Sequence, residues 1–204
     1  MNVVEVHGVF KKYGKITALN NVSLNIRKGE VVLFVGKNGS GKSSLIKCIL
    51  DHISFQGKIY RYENNIGYIP EKVNLPDFLT VYNFLKEISI LRGSFEIELI
   101  EHLLSRYSLS SSRDKMLSSL SKGMRQKVLI IQSYLGNPHL FIFDEPLNGL
   151  DEQTRKIFIE DIKIAKKDRK TIIITTHHTD LYSISKKRVV IFENGAIYEK
   201  FKDD

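Results

Sequence analysis

Residues 36–43 read Gly-Lys-Asn-Gly-Ser-Gly-Lys-Ser, and about 100 residues later the apolar run Leu140-Phe-Ile-Phe ends on paired carboxylates, Asp144 and Glu145, followed by Pro146. Gly36, Gly39 and Gly41 permit backbone conformations that a Cβ would obstruct, so consecutive N–H groups along Gly36, Lys37, Asn38, Gly39, Ser40, Gly41 and on to Ser44 can point inward at a phosphate. Lys42 supplies a charge for the β- and γ-phosphates, and the Ser43 hydroxyl is a ligand for Mg²⁺. Two carboxylates at a strand end suit a second Mg²⁺ contact, Asp144, and a base that polarises water, Glu145. Together these residue types predict binding of a nucleoside triphosphate with Mg²⁺, and its hydrolysis.

Such residues need a strand before the loop and a helix after it. Val31-Val-Leu-Phe-Val35 is a short apolar run between Gly29 and Gly36, and Ser44 to Leu50 is apolar at helical spacing. The helix start adds N–H donors and partial positive charge at the phosphate. The first 30 residues alternate and predict antiparallel strands. Gly57 to Pro70 reads as a further strand pair turned at Asn64-Asn65. Helical periodicity runs from about Thr80 to Leu135, with stripes at Leu79, Phe84, Leu85, Ile88 and Leu91 and at Ile97, Ile100, Leu103 and Leu104. Strands are expected at 140–143, 170–176 and 188–192, helices at 151–167 and 180–187, and a hairpin turn at Asn194-Gly195. The whole predicts a single α/β domain over residues 1–204: a phosphate-loop fold with a mainly parallel core sheet, an antiparallel β subdomain and a helical subdomain inserted over about 75–135.

The composition narrows the class. With 204 residues the chain can build one sizeable core. No run approaches the roughly 20 apolar residues that span a bilayer, and the start of the sequence has no pattern of a secretory signal. A lone cysteine, Cys48, fits a reducing compartment and a core-packing role. The net charge of +8 gathers in 163–170, 186–188 and near the start. It is read as solvated helix faces, and no specific nucleic-acid partner is expected.

Between the two opening motifs lies Leu120-Ser-Lys-Gly-Met-Arg-Gln-Lys127. With it, the chain resembles the ATP-binding subunits of ABC transporters over nearly its whole length. The family's motifs stand here in the family's order: the phosphate loop at 36–43, Glu71 in a loop that usually holds glutamine, the signature at 120–124, Asp144-Glu145, the Asp loop Asn148-Gly-Leu-Asp151, and a switch histidine, His177, with His178 adjacent. The resemblance implies a Mg²⁺-dependent ATPase working as a head-to-tail homodimer, or with a paired homologous ATPase, and clasping two ATP molecules. It places Tyr13 on the adenine, Glu71 beside Mg²⁺ or water, and Glu145 as general base, with His177 bridging γ-phosphate and water. Ser121, Lys122, Gly123 and Met124 would meet the γ-phosphate held by the opposite subunit, with Asp151 in the Asp loop between them.

Two departures stand out: Glu71 adds a negative charge where the family has glutamine, and the signature carries Lys122 and Met124 in place of glycine and glutamine. The Ile-Pro-Glu loop and Ser-Lys-Gly-Met look like ATPases of exporters whose transmembrane permease is a separate polypeptide. The expected place is the cytoplasm, peripheral on the inner face of the cell membrane. An apolar cluster of Phe78, Leu79, Val81, Tyr82 and Leu85 is the expected docking region, with Tyr82 as its exposed member. The other reading, a soluble ATPase of the same type acting on ribosomes or DNA, commonly carries two ATPase units or a long coiled coil; this chain has one phosphate loop and no heptad insertion. A GTPase is disfavoured because no Asn-Lys-x-Asp motif occurs.

Overall fold

Alternation within the apolar strands decides the layering. In the computed structural model, which describes residues 1–93, 95–177 and 182–201, the chain begins with a long hairpin, β1 (Asn2–Tyr13) and β2 (Ile16–Arg27). It continues through β3 (Val31–Val35), α1 (Lys42–Ile49), β4 (Gln56–Arg61) and β5 (Ile66–Ile69). Three helices follow, α2 (Val81–Leu91), α3 (Ile97–Arg106) and α4 (Lys122–Tyr134). The chain then forms β6 (Leu140–Asp144), α5 (Glu152–Lys167), β7 (Thr171–Thr176), β8 (Arg188–Glu193) and β9 (Ala196–Phe201).

The larger sheet has the order β5-β6-β7-β3-β8-β9, parallel except for β9, and the smaller has the antiparallel order β2-β1-β4. Side chains of period 2 send Val31, Leu33, Phe141, Phe143, Ile172 and Ile174 to one face, where they pack with helices α2 to α5. Val32, Phe34, Leu140, Ile142 and Ile173 point to the other face, toward α1 and the small sheet. Strands buried on both faces explain why 31–35 and 171–174 read as continuous apolar runs.

The helical insert has no core of its own. Leu85, Leu103 and Val128 belong to the same buried cluster as Phe141 and Ile172 of the sheet. A buried polar tie reinforces the join: Tyr107 Oη donates to Asp161 Oδ2 on α5 at 2.6 Å, and Arg106 Nε donates to Asp161 Oδ1 at 2.8 Å.

Two expectations fail here. Gly57 to Pro70 is not a paired hairpin: β4 joins β1 in the small sheet, whereas β5 joins β6 in the large one. The segment between them crosses from one sheet to the other, and Asn65 anchors it by donating through Nδ2 to Gly136 O at 2.7 Å. Gly67 then lets β5 lie against α4, since a Cβ there would sit 2.2 Å from Ser133 O. The helix expected over 180–187 is also absent from its described part, where 182–187 run irregularly into a turn; 180 and 181 lie outside the described residues. The Asn194-Gly195 turn forms as expected, both residues having positive φ (50° and 78°). Cys48 is fully buried, and burial pushes its thiol up to about 11, as suits packing and not redox chemistry.

Candidate active site

The phosphate loop leaves β3 at the carboxyl end of the parallel strands and enters α1 through Gly41, whose φ is 113°. Gly41 has no alternative here, because a Cβ would lie 2.4 Å from Ala18 O on β2. Lys37, Asn38 and Gly39 are exposed on the loop, Ser40 is buried beneath it, and Ser43 and Ser44 are half-buried in the first turn of α1. The side chain of Lys42 is only 5% exposed; its ammonium donates to Gly36 O at 2.7 Å and Lys37 O at 3.1 Å, and lies 4.0 Å from Glu145 Oε1. Its charge therefore already sits at the centre of the loop.

β6 runs beside β7 and delivers Asp144 and Glu145 to the same edge. Asp144 Oδ1 accepts from Ser43 Oγ at 3.0 Å and from Thr175 Oγ1 at 2.6 Å. Burial raises the Asp144 carboxyl above its usual range; the Thr175 and Ser43 hydrogen bonds oppose this, and the charges of Glu71 and Glu145 add to it. Glu145 takes a left-handed backbone (φ 50°), which costs a residue with a Cβ about 1–2 kcal/mol. Its Oε2 lies 3.1 Å from His177 Nδ1. His178, the adjacent alternative, lies outside the described residues.

A cleft of about 290 Å³ is lined by Asn38, Lys42, Ser43, Ser44, Glu71 and Glu145 among others. Two buried oxygens at this edge, Asp144 Oδ2 and Glu145 Oε1, have no hydrogen-bond partner. Unmet buried carboxylate oxygens beside a hydroxyl fit a cation and its water. Among the described residues no group of three His, Cys, Asp or Glu side chains converges as a metal cage. That donor set suits Mg²⁺, which keeps waters and substrate phosphates and takes only one or two carboxylates. Glu71 is exposed on the lip of the cleft, where it lends charge.

Tyr13 ends β1 at the tip of the hairpin whose second strand touches Gly41. Its ring is 46% exposed, with Lys11 Nζ 5.1 Å from the centroid. The signature lies elsewhere: residues 121–124 do not line the phosphate cleft. Ser121 caps α4, its Oγ accepting the Met124 N–H at 3.3 Å. Lys122 is exposed and Gly123 and Met124 are half-buried. This segment rests on the Asp loop, a Cβ on Gly123 lying 3.0 Å from Gly149 O. Asp151 caps α5, accepting from Thr154 N at 2.7 Å and Thr154 Oγ1 at 2.9 Å, and pairs with Lys127 of α4 at 3.4 Å. These contacts, the Thr154 N–H first, hold its carboxyl below the usual range.

The sequence reading missed Thr175 and Gln126. Gln126 is buried and donates through Nε2 to Pro146 O at 3.0 Å, tying α4 to the turn after Glu145. A glutamine inside an apolar helical stripe is the signal that could have marked it. The expected docking cluster also changes. Val81 and Leu85 are core residues and Tyr82 is half-buried with the Arg113 guanidinium 3.5 Å over its ring, while Phe78 is 77% exposed. The exposed member is therefore Phe78, not Tyr82.

The sequence model of the ABC transporter family matches residues 19–148. The chain is 35% identical over 184 residues to an uncharacterized ABC transporter ATP-binding protein, YthP, of Bacillus subtilis, covering 88% of this chain and 78% of that protein. It is 33% identical to the zinc import ATP-binding protein ZnuC of Roseobacter denitrificans (97% and 77% covered) and 32% identical to the lantibiotic transport ATP-binding protein SrtF of Streptococcus pyogenes (98% and 92% covered). Its fold matches the ATP-binding cassette MJ0796, solved as a dimer in a post-hydrolysis state bound to ADP and Pi, with a TM-score of 0.88, 26% identity and 98% and 99% of the two chains covered. The chain thus belongs to the ATP-binding subunits of ABC transporters, a family of ATPases.

Proposed function

We propose that this chain, as one domain over residues 1–204, couples Mg²⁺-dependent ATP hydrolysis to export through a separate transmembrane permease, from the cytoplasmic face of the membrane. The observation that carries the ATPase part is the meeting of Lys42, Ser43, Asp144, Glu145 and His177 at one sheet edge. Lys42 holds the β- and γ-phosphates, and Tyr13 offers its ring to the adenine. Ser43 and Asp144 are the residues that would hold Mg²⁺, with Glu71 alongside. When bound, the ion neutralises phosphate charge. Glu145 accepts a proton as the water oxygen attacks the γ-phosphorus; the bond from phosphorus to the ADP oxygen breaks, and ADP leaves. His177 steadies Glu145 and the attacking water.

Hydrolysis moves cargo only if two subunits close and reopen against a membrane partner. In this reading Ser121 to Met124 of one subunit cover the ATP of another. No helix among the described residues is long and apolar enough to cross a membrane, so the transport path belongs to the permease. Export is favoured by the Ile-Pro-Glu loop and the Ser-Lys-Gly-Met signature; the relatives act in both import and lantibiotic transport. Phe78 is the proposed contact for a short permease helix. Phe78→Glu should abolish recruitment to membranes from cells co-expressing the permease while ATPase activity of the purified subunit persists. Unchanged recruitment of the folded variant would move the docking surface elsewhere.

A further inference from the structure

Thr175 stands fully buried in a strand whose preceding residues are Ile172, Ile173 and Ile174. A valine would fill that volume equally well and carry no hydroxyl to satisfy, so the hydroxyl calls for a reason. The register supplies one: Asp144 of β6 is the direct neighbour of Thr175 in the parallel ladder. Thr175 Oγ1 donates to Asp144 Oδ1 at 2.6 Å and accepts the Glu145 backbone N–H at 2.8 Å. One hydroxyl thus grips two consecutive acidic residues, using its donor on the first and a lone pair on the second.

The consequences differ for the two. With Oδ1 held by Thr175 and Ser43, Asp144 cannot turn freely, and Oδ2 remains the oxygen without a protein partner. For Glu145, the bond to its N–H pins a peptide in the left-handed region, φ 50°, and this backbone aims the side chain at Lys42 and His177. We infer that Thr175 is the positioning residue of this site, aligning the metal-facing carboxylate and the base together through its single hydroxyl. The inference rests on the roles proposed above for Asp144 and Glu145. The Thr175 side chain is fully buried, with its hydroxyl bonded to Asp144 and Glu145; it acts through these neighbours, as outer groups around metal sites do, where a lost partner typically costs about 10–100-fold in affinity or activity.

The test compares Thr175→Val, which keeps shape and removes the hydroxyl, with Thr175→Ser, which keeps the hydroxyl. Mn²⁺ affinity of the ADP-bound protein is read by electron paramagnetic resonance beside kcat, KM for ATP and thermal melting, with Asp144→Asn as control. Thr175→Val should weaken Mn²⁺ about tenfold and lower kcat about 10–100-fold, with KM for ATP within about twofold; Thr175→Ser should stay near the parent on each. A folded Thr175→Val with parental Mn²⁺ affinity and kcat would reduce the residue to packing. A Thr175→Ser as impaired as Thr175→Val would credit the methyl group instead, and also overturn the inference. Parental Mn²⁺ affinity in Asp144→Asn would sink the proposed metal role itself, whereas loss there with no change in Thr175→Val would refute the positioning role alone.

Discussion

The phosphate cleft and the signature surface are built in opposite ways. Around the cleft, groups from α1, β6, β7 and the turns after these two strands hold one another within the chain: Ser43 and Thr175 hold Asp144, and Lys42 and His177 flank Glu145. At the signature, Ser121 spends its side chain on a helix cap, and Lys122 is left exposed beside the Asp loop. The first region is a site that can be completed by a ligand; the second, in the function proposed above, is a surface that works against another subunit. Damage to the first should therefore be felt by one chain alone, and damage to the second only when two chains meet.

The sharpest break of that contrast is Glu145→Gln. Loss of a general base typically costs about 10²–10⁴-fold in rate, and steady-state ATPase assays should find turnover reduced on that scale with ATP still bound. Turnover at the parental rate would remove Glu145 as the base. Next comes Lys42→Ala, which deletes charge-assisted bonding to the phosphates worth about 1.5–3 kcal/mol in all, so calorimetric titration should find ATP binding weaker by about 10–100-fold. Parental affinity would contradict the phosphate-loop assignment. Ser121→Arg places bulk on the other region. It should leave ATP binding by the monomer intact and raise the dimer dissociation constant by about 30-fold, the scale of an interface hot spot. Weakened ATP binding by the monomer would instead make Ser121 a local structural residue.

The smallest effect concerns the join between the regions. Asp151 caps α5 and meets Lys127 of α4, so Asp151→Ala should cost about 1 kcal/mol of stability in chemical denaturation. Because the folded protein holds this carboxyl below its ordinary value, its contribution is full above the ordinary aspartate pKa and is lost as the pH falls through the lowered one. The difference between parent and variant should shrink as the medium is acidified into that range. A difference independent of pH there would show that the cap acts without its charge.

How far the sequence could be read follows the same division. Motifs whose chemistry is local were legible: the loop glycines, Lys42, the paired carboxylates Asp144 and Glu145, and the short apolar runs that form the core strands. Pairings made over long distances were not. Nothing near Asn64-Asn65 says that β4 and β5 go to different sheets, since each strand finds its partner in a segment far along the chain. Thr175 was invisible for the same reason, its role being set by a register with β6. Tyr82 and Phe78 look alike as aromatics; only the Arg113 guanidinium over one ring and open solvent over the other tell them apart.

The central claim, that the signature surface acts across two subunits, is tested most directly by sedimentation velocity of Glu145→Gln with Mg·ATP and with Mg·ADP. The account predicts a dimer with ATP and a monomer with ADP, and loss of the ATP dimer when Ser121→Arg is added. A monomer under both nucleotides, or a dimer indifferent to Ser121→Arg, would contradict it.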